Sequence, residues 1–159
     1  MEKPQITALV ISDTHENIAF AEDLIATESP DVIIHLGDHS SDADEIKSDF
    51  PEIPMYSVRG NCDLMSFSPD RDVVPLGPVK AFITHGHLYN VRYGVDSLVY
   101  AAQEADCKIA IFGHTHTPYH EDIGGVKVIN PGTAGKGRKP TAALLEVYDN
   151  GAVGVTFLE

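Results

Sequence analysis

Five apolar runs, each followed at once by a short polar segment, constrain this chain more than any other feature of its sequence. The runs cover residues 5–11, 32–36, 55–58, 79–84 and 109–112. They are strand-sized and rich in β-branched residues, which predicts buried β-strands. The polar segments that follow them contain Asp, His, Asn and Gly. In open α/β sheets, ligands bind outside the carboxyl ends of the strands, so we expect these segments to meet in one crevice.

Helical spacing of apolar residues fills three of the intervals between the runs. The first predicted helix follows Asn17, its expected cap, and the others centre on Ala43 to Phe50 and on Val95 to Ala102. Two hairpins are predicted near the end, at Gly124-Gly125 and at Asp149-Asn150-Gly151. The segment between residues 58 and 79 is predicted to be irregular. Helices between strands followed by hairpins predict one layered α/β domain over residues 1–159, with two mixed sheets.

Charge and composition exclude several classes of function. Eleven basic residues against 24 acidic ones give a net charge of −13, so binding to a nucleic-acid backbone or to an anionic membrane surface is not expected. No apolar run approaches the roughly 18 residues that span a bilayer, and the first residues show no signal-peptide pattern. Two cysteines do not form a disulfide framework. We therefore expect a cytoplasmic protein.

The polar segments contain the residue types of a divalent-metal site. Seven candidate ligands follow the five runs: Asp13, His15, Asp38, Asn61, His85, His114 and His116. Carboxylate with imidazole suits manganese, iron, zinc or nickel better than magnesium or calcium, which prefer oxygen alone. Seven ligands exceed the three or so protein ligands of a catalytic zinc and predict two ions roughly 4 Å apart with a shared carboxylate.

The order of these motifs resembles the calcineurin-like metallophosphoesterases, and in particular the small single-domain phosphodiesterase branch of that family. The motifs are Asp-x-His, Gly-Asp, Gly-Asn-x-Asp, His-Gly-His and Gly-His-Thr-His, and the resemblance extends through Asn130-Pro131-Gly132-Thr133. It implies a four-layer αββα sandwich and a phosphoric ester hydrolase, expected to prefer diesters to monoesters. The substrate would be a small phosphate ester, and a homo-oligomer is compatible with the family.

Matching positions imply how the ions would be held. One ion would take Asp13, His15, Asp38 and His116, and the other would take Asp38, Asn61, His85 and His114, with Asp38 bridging. Manganese or nickel is expected first, and iron or zinc would also fit. The resemblance implies in-line attack by a hydroxide that bridges the two ions. In this scheme Asp38, Asn61 and His85 count as catalytic residues.

One position departs from the family pattern. Many relatives have a histidine after the Asn of the third motif, to which a proton-donating role is assigned, and this chain has Cys62 there. A thiol with a pKa near ~8.5 is a poor general acid in this role. His39 or His87 could donate the proton instead, which leaves this part of the mechanism as a hypothesis.

Other residues and functions have plainer interpretations. His35, His120 and Cys107 are expected to be structural, Asp63 is expected to organise its loop, and Asp42, Asp44 and Glu45 are expected to form a solvated helix start. Arg138 and Lys139 either contact a substrate phosphate or form an exposed pair. A silent scaffold of the same fold, a phosphomonoesterase or nucleotidase, and a nuclease are the alternative functions, the nuclease being disfavoured by the acidic charge.

Overall fold

A computed structural model describes residues 3–135 and 139–159, which form two five-stranded mixed sheets and three α-helices. The first sheet has the order β10-β9-β1-β2-β3, with β1 parallel to β2, β2 parallel to β3, and β9 antiparallel to both β1 and β10. Its strands are β1 (Ile6–Ile11), β2 (Val32–His35), β3 (Met55–Ser57), β9 (Ala142–Val147) and β10 (Val153–Leu158). All five lie within or close to predicted strands.

The second sheet contains one strand that the sequence analysis missed. Its order is β4-β5-β6-β8-β7, and its strands are β4 (Arg71–Leu76), β5 (Val79–Thr84), β6 (Ile109–Ile111), β7 (Tyr119–Ile123) and β8 (Val126–Asn130). Strand β4 lies in the segment predicted to be irregular, so that prediction was wrong. Pro75 argued against a strand, but β4 is an edge strand paired only with β5. Proline is tolerated at a sheet edge because its missing N–H removes no ladder bond on the open side.

Alternation along the strands builds the four predicted layers. In β1, Ala8 and Val10 face the core between the two sheets, whereas Leu9 and Ile11 face the first pair of helices. In β6, Ile109 and Ile111 enter the same central core. Both faces of these strands are therefore buried, which explains why they read as continuous apolar runs instead of alternating ones.

Three helices cover the outer faces of the sheets. Helices α1 (Ala19–Glu28) and α2 (Ser40–Asp49) pack on the first sheet, and α3 (Asp96–Glu104) packs on the second. Asn17 does not cap α1: the residue before that helix is Ile18, which makes no side-chain cap. The Asn17 side chain instead donates to the carbonyl of Gly135 at 2.8 Å, because a loop from the end of the chain crosses there. None of the helices in the described ranges is long and apolar enough to cross a membrane.

The parallel strands place the polar segments at one rim. Strands β1, β2 and β3 run in the same direction, as do β5, β6 and β8. Their carboxyl ends therefore open onto common edges. Within each sheet the backbone links neighbouring loops, since the N–H of Asp13 donates to the carbonyl of Gly37 and that of Gly113 to the carbonyl of His85. Between the sheets, Nδ1 of His85 lies 2.7 Å from the carbonyl oxygen of Leu36. The site described next is built from these loops.

Candidate metal centre

Loops from both sheets bring three predicted ligands around one carboxylate oxygen of a fourth, Asp13. Oδ1 of Asp13 lies 3.2 Å from Nε2 of His116, 3.9 Å from Nε2 of His15 and 4.0 Å from Nε2 of His85. Oδ2 of Asp38 lies 3.5 Å from the same nitrogen of His85. Residues that are far apart in the chain thus form one cluster, as expected for strand ends that share a rim.

Two sets of side chains in this cluster could each hold an ion. One set is Asp13, His15 and His116, the other is Asp13, Asp38 and His85, and within each set the ligand atoms lie within 4.8 Å of one another. The first set is part of the ligand group implied for one ion. Asp13 belongs to both sets, so the bridging role implied for Asp38 stays a prediction.

The Asp13 carboxylate has an unmet requirement for a partner. Its side chain is fully buried, Oδ2 accepts a hydrogen bond from the Ser12 hydroxyl at 2.6 Å, and Oδ1 accepts none from any described residue. Burial raises the pKa of Asp13 to about 6. An unpaired buried carboxylate is costly unless a cation meets it. Carboxylate and imidazole atoms converging on one point are the donor set of a divalent transition metal, so the residues present fit such an ion.

Asp38 is prepared differently from Asp13. Its Oδ1 accepts a hydrogen bond from the backbone N–H of Cys62 at 3.0 Å, and a Cβ on Gly60 would overlap this carboxylate. Burial raises the pKa of Asp38, but the neighbouring His85 and the Cys62 N–H outweigh burial and hold it below its usual value. Asp38 is therefore ionised at neutral pH, and the glycine is required because only hydrogen fits there.

A chain of hydrogen bonds sets the tautomers of two predicted ligands. Nδ1 of His85 lies 2.7 Å from the carbonyl of Leu36, so Nδ1 carries the proton and Nε2 presents its lone pair to the cluster. Burial lowers the pKa of His85 to about 4, which keeps the ring neutral. Nδ1 of His114 lies 3.2 Å from that lone pair, and Arg92 Nε donates to Nε2 of His114 at 3.1 Å. This arrangement assigns the His114 proton to Nδ1.

Arg92 is therefore a residue at the site that the motifs did not reveal. As long as it donates to Nε2, His114 cannot offer a lone pair from Nδ1. Ligation through Nδ1 requires the proton to move to Nε2 and the Arg92 contact to break. The position carried no signal in the sequence, because it lies in a loop well beyond the His-Gly-His motif.

Asn61, another of the predicted ligands, is exposed. Its loop is nevertheless held firmly. The buried Asp63 accepts backbone N–H bonds from Gly60 at 2.9 Å, His39 at 2.7 Å and Ser40 at 2.9 Å. Burial raises the pKa of Asp63, but these N–H groups outweigh it and lower the pKa. The prediction that Asp63 organises its loop is confirmed, while ligation by Asn61 stays a prediction.

The end of β8 supports the ligand loops from the second sheet. The buried Asn130 side chain donates to the carbonyl of Gly113 at 3.0 Å and to the Thr115 hydroxyl at 2.9 Å, on either side of His114. The Thr133 hydroxyl donates to the carbonyl of Asp13 at 3.0 Å. The Asn-Pro-Gly-Thr segment thus holds the first and last ligand loops in register, a role that its sequence alone did not indicate.

The candidate proton donors surround the cluster without touching its carboxylates. The ring of His39 lies 5.1 Å from that of His15, and the ring of His87 lies 5.5 Å from that of His85, measured between centroids. The thiol of Cys62 is exposed, and its pKa is raised by partial burial and by the charge of Asp38. Cys62 is thus protonated at neutral pH but a weak acid, and donation by His39 or His87 stays a hypothesis.

Several plainer interpretations can now be judged. His35 is fully buried: the N–H of Gly37 donates to its Nδ1 at 3.1 Å, so its Nε2 donates to the Thr14 hydroxyl at 3.1 Å, and burial lowers its pKa to about 4. Its structural role is confirmed, as is the core position of Cys107. Asp42 is not solvated as predicted, because it is buried and accepts the backbone N–H of Glu16 at 2.7 Å.

The remaining outer residues lie away from the cluster or beyond what the structure describes. His120, Asp44 and Glu45 are exposed. Lys139 is exposed as well, whereas Arg138 lies outside the described residues.

The backbone at the site is strained. Five predicted ligands have positive φ, a conformation that costs non-glycine residues roughly 1–2 kcal/mol: Asp13, His15, Asp38, His114 and His116. Strain that recurs at the residues bearing one chemistry indicates a site selected for function over stability.

Comparison with known proteins shows the family to which the chain belongs. Residues 6–150 match the family model of the calcineurin-like phosphoesterase superfamily domain. The chain is 31% identical to the probable metallophosphoesterase YsnB of Bacillus subtilis, covering 97% of this chain and 91% of that protein. It is 29% identical to the phosphodiesterase MJ0936 of Methanocaldococcus jannaschii, covering 77% of this chain and 81% of that protein.

Solved structures show the same fold. A predicted phosphoesterase of Streptococcus pneumoniae superposes with a TM-score of 0.78 at 29% identity, covering 96% of this chain and 88% of the other. Vacuolar protein sorting 29 of Cryptosporidium parvum superposes with a TM-score of 0.79 at 21% identity, covering 96% of each chain, and this likeness concerns the fold alone. The matched family model and the curated relatives together identify the chain as a member of the calcineurin-like phosphoesterase superfamily, a family of phosphoric ester hydrolases.

Proposed function

We propose that the chain is a metal-dependent phosphodiesterase that hydrolyses a small phosphate ester at a centre of two divalent transition-metal ions. The observation that carries the proposal is the buried Oδ1 of Asp13, which has no hydrogen bond from the described residues and faces three imidazole nitrogens. Manganese or nickel is the preferred metal because the donor set mixes oxygen with nitrogen. The full ligand set proposed is Asp13, His15, Asp38, Asn61, His85, His114 and His116.

When bound, two such ions would supply Lewis acidity, which makes water a nucleophile near neutral pH and offsets the charge of the phosphoryl oxygens during in-line attack. The protein's own groups would hold the metal ligands in place and orient them. Leu36 fixes the ring of His85 through its carbonyl, and the Cys62 N–H keeps Asp38 ionised. Ser12 holds Asp13 by a short hydrogen bond, so that the free oxygen points into the cluster.

The proton for the leaving group would come from His39 or His87. Both rings lie beside ligand rings, and Cys62, which stands at the position of the histidine of many relatives, is a weak acid. A weak general acid favours esters whose leaving groups depart without protonation. The net charge of −13 disfavours a long polyanion and favours a small substrate.

A scaffold without catalytic activity is the alternative suggested by the fold of the vacuolar sorting protein. All the residues of the metal motifs are retained in this chain, and five of them keep a strained backbone. Backbone strain would bring no benefit to a centre without catalytic activity, so its presence supports the proposal that the protein is an enzyme. A phosphomonoesterase or nucleotidase would use the same centre, so only substrates can separate it from a diesterase.

One experiment tests the proposal. Purified protein is treated with EDTA, analysed for bound metal, and assayed on bis(p-nitrophenyl) phosphate and p-nitrophenyl phosphate before and after addition of manganese or nickel. We expect negligible diester hydrolysis without metal and recovery with it. Asp38→Asn should abolish the recovery, and the exposed Glu104→Gln on α3 is the matched carboxylate control. Hydrolysis that is indifferent to EDTA, or an Asp38→Asn variant of full activity, would refute the proposal.

A further inference from the structure

An unusually apolar loop adjoins the metal centre. Three large apolar residues within four positions of the sequence, Leu64, Met65 and Phe67, are almost fully exposed to solvent. The loop begins at the buried Asp63, whose three backbone hydrogen bonds anchor its base. Large apolar side chains concentrated on a protein surface mark a binding region more often than chance exposure does.

These side chains line a cleft, which we call the ester cleft. It encloses about 790 Å³ and is lined by His39, Ser40, Asp44, Leu64, Met65 and Phe67 among others. Small-molecule sites in proteins typically enclose roughly 300–1,000 Å³ and combine apolar walls with a few polar groups. The size therefore suits an aryl or nucleoside-sized group and exceeds what a methyl ester would fill.

The ester cleft adjoins the centre through two of its lining residues. His39 lines the cleft, and its ring stacks edge-on against that of His15 at 5.1 Å. Cys62 also lines the cleft, and its backbone N–H is bonded to the carboxylate of Asp38. A phosphate held at the centre would thus place one of its ester groups at the mouth of the cleft.

Charge limits what that group can be. The charged residues lining the cleft are Asp44 and Asp63, and no lysine or arginine lines it among the described residues. Asp63 is already used by three backbone donors. An anionic ester group would be repelled, whereas an uncharged apolar group would bury the side chains of the loop.

We propose that the ester cleft binds an uncharged, apolar organic group of the phosphate ester, so that the protein selects esters with an aryl-sized group over esters with only small alkyl groups. This inference rests on the proposed function for the position of the phosphate. It adds a substrate class and a recognition surface, neither of which follows from the metal motifs.

Binding of two phosphonates tests the inference without catalysis. Phenylphosphonate and methylphosphonate share the phosphoryl group and differ in the organic group, so calorimetry on manganese-loaded protein compares only that group. We expect phenylphosphonate to bind at least about tenfold tighter, since burial of part of a phenyl ring against apolar walls is favourable by this order. Phe67→Ser and Leu64→Ser should bring the ratio towards one. Tyr100→Ser, which removes an exposed aromatic side chain of α3 that does not line the cleft, should leave it unchanged.

A methyl probe locates the bound group directly. The chain has three methionines, so ¹³C-methyl labelling gives few resonances, and Met65→Leu assigns the one in the cleft. We expect phenylphosphonate to shift the Met65 methyl resonance and to leave that of Met55 in place, because Met55 packs in the core beneath α1 and α2. The same shift is expected with phenol, which is uncharged at neutral pH, on metal-free protein, and this tests the cleft even if the metal assay fails.

Four results would overturn the inference. Three are equal affinity for the two phosphonates, an affinity ratio that Phe67→Ser leaves unchanged, and a Met65 resonance that neither aromatic probe moves. The fourth is a dimer that Phe67→Ser converts to a monomer, because the loop would then be covered by a second copy of the chain. Absence of hydrolysis with normal phosphonate selectivity would refute the proposed function and leave the cleft intact.

Discussion

Replacing Asp13 by Asn should stabilise the metal-free protein while removing the metal centre. The Asp13 pKa of about 6 exceeds the value of 3.8 for the unperturbed group, so the folded protein binds a proton at this site more tightly than the unfolded chain does. At pH 8 both forms are ionised, and the burial of this charge then costs folding about 3 kcal/mol. Asparagine preserves the shape, removes the charge, and still offers an oxygen to the Ser12 hydroxyl. We expect a gain of about 2 kcal/mol, since the amide will not match every contact.

Urea unfolding in EDTA at pH 8 and at pH 5 measures this effect. With a typical slope of about 1–3 kcal/mol per molar urea, the Asp13→Asn midpoint should rise by about 1 M at pH 8. At pH 5 most of the wild-type Asp13 is protonated in the folded state, so the difference should shrink. Glu104→Gln should leave the midpoint unchanged at both pH values, because that carboxylate is exposed. A variant less stable than wild type at pH 8, or a gain that grows at pH 5, would refute the reasoning.

In the presence of manganese, the wild type should be more stable than the Asp13→Asn variant. A metal that binds only the folded state stabilises it by mass action. The wild type should therefore gain stability in manganese, whereas Asp13→Asn should not. If both proteins gain equally, Asp13 is not a ligand.

Three further predictions concern the surroundings of the centre. Asp63→Asn places an amide opposite backbone N–H groups and should cost about 2 kcal/mol in thermal or urea unfolding; an unchanged midpoint would contradict the role given to this residue. The buried His35 cannot accept the proton that the unfolded chain binds between pH 6.5 and about 4, so the contribution of His35 to wild-type stability should fall by about 3 kcal/mol over that window. His35→Gln should lose less over the same window, and an equal slope would contradict this. Arg92→Met frees His114 to ligate, so manganese affinity should rise by up to about tenfold in a metal titration; weaker binding would show that Arg92 supports the centre instead.

The layers and most strands could be predicted from the sequence because burial on both faces leaves continuous apolar runs. Ile109 and its neighbours carry that signal even in a strand of three residues. β4 lacked it, since Val74 and Leu76 alternate with polar or exposed residues around a proline. Asn17 was misassigned as a cap because its partner, Gly135, comes from the far end of the chain. Sequence rules take account only of neighbouring residues, whereas contacts with distant parts of the chain determined the structure of β4 and the role of Asn17.

The same contrast between sequence pattern and tertiary contact applies to the residues of the metal centre. Asp13, Asp38, His85 and His116 could be predicted to converge because each comes directly after a buried parallel strand. Arg92 could not be predicted, because it reaches the site by the length of its side chain and not by its place after a strand. The apolar side chains of the ester cleft gave no periodic pattern, and only their exposure beside the centre distinguishes them from core residues.

The position of β9 has a consequence for synthesis of the chain. β1 lies between β2, which follows it closely in the chain, and β9, which follows it much later. Until residues 142–147 leave the ribosome, one edge of β1 has no partner and its apolar residues have no complete cover. Such an edge invites pairing with other chains. Any state of the chain in which β9 is not yet in place is therefore expected to be prone to aggregation.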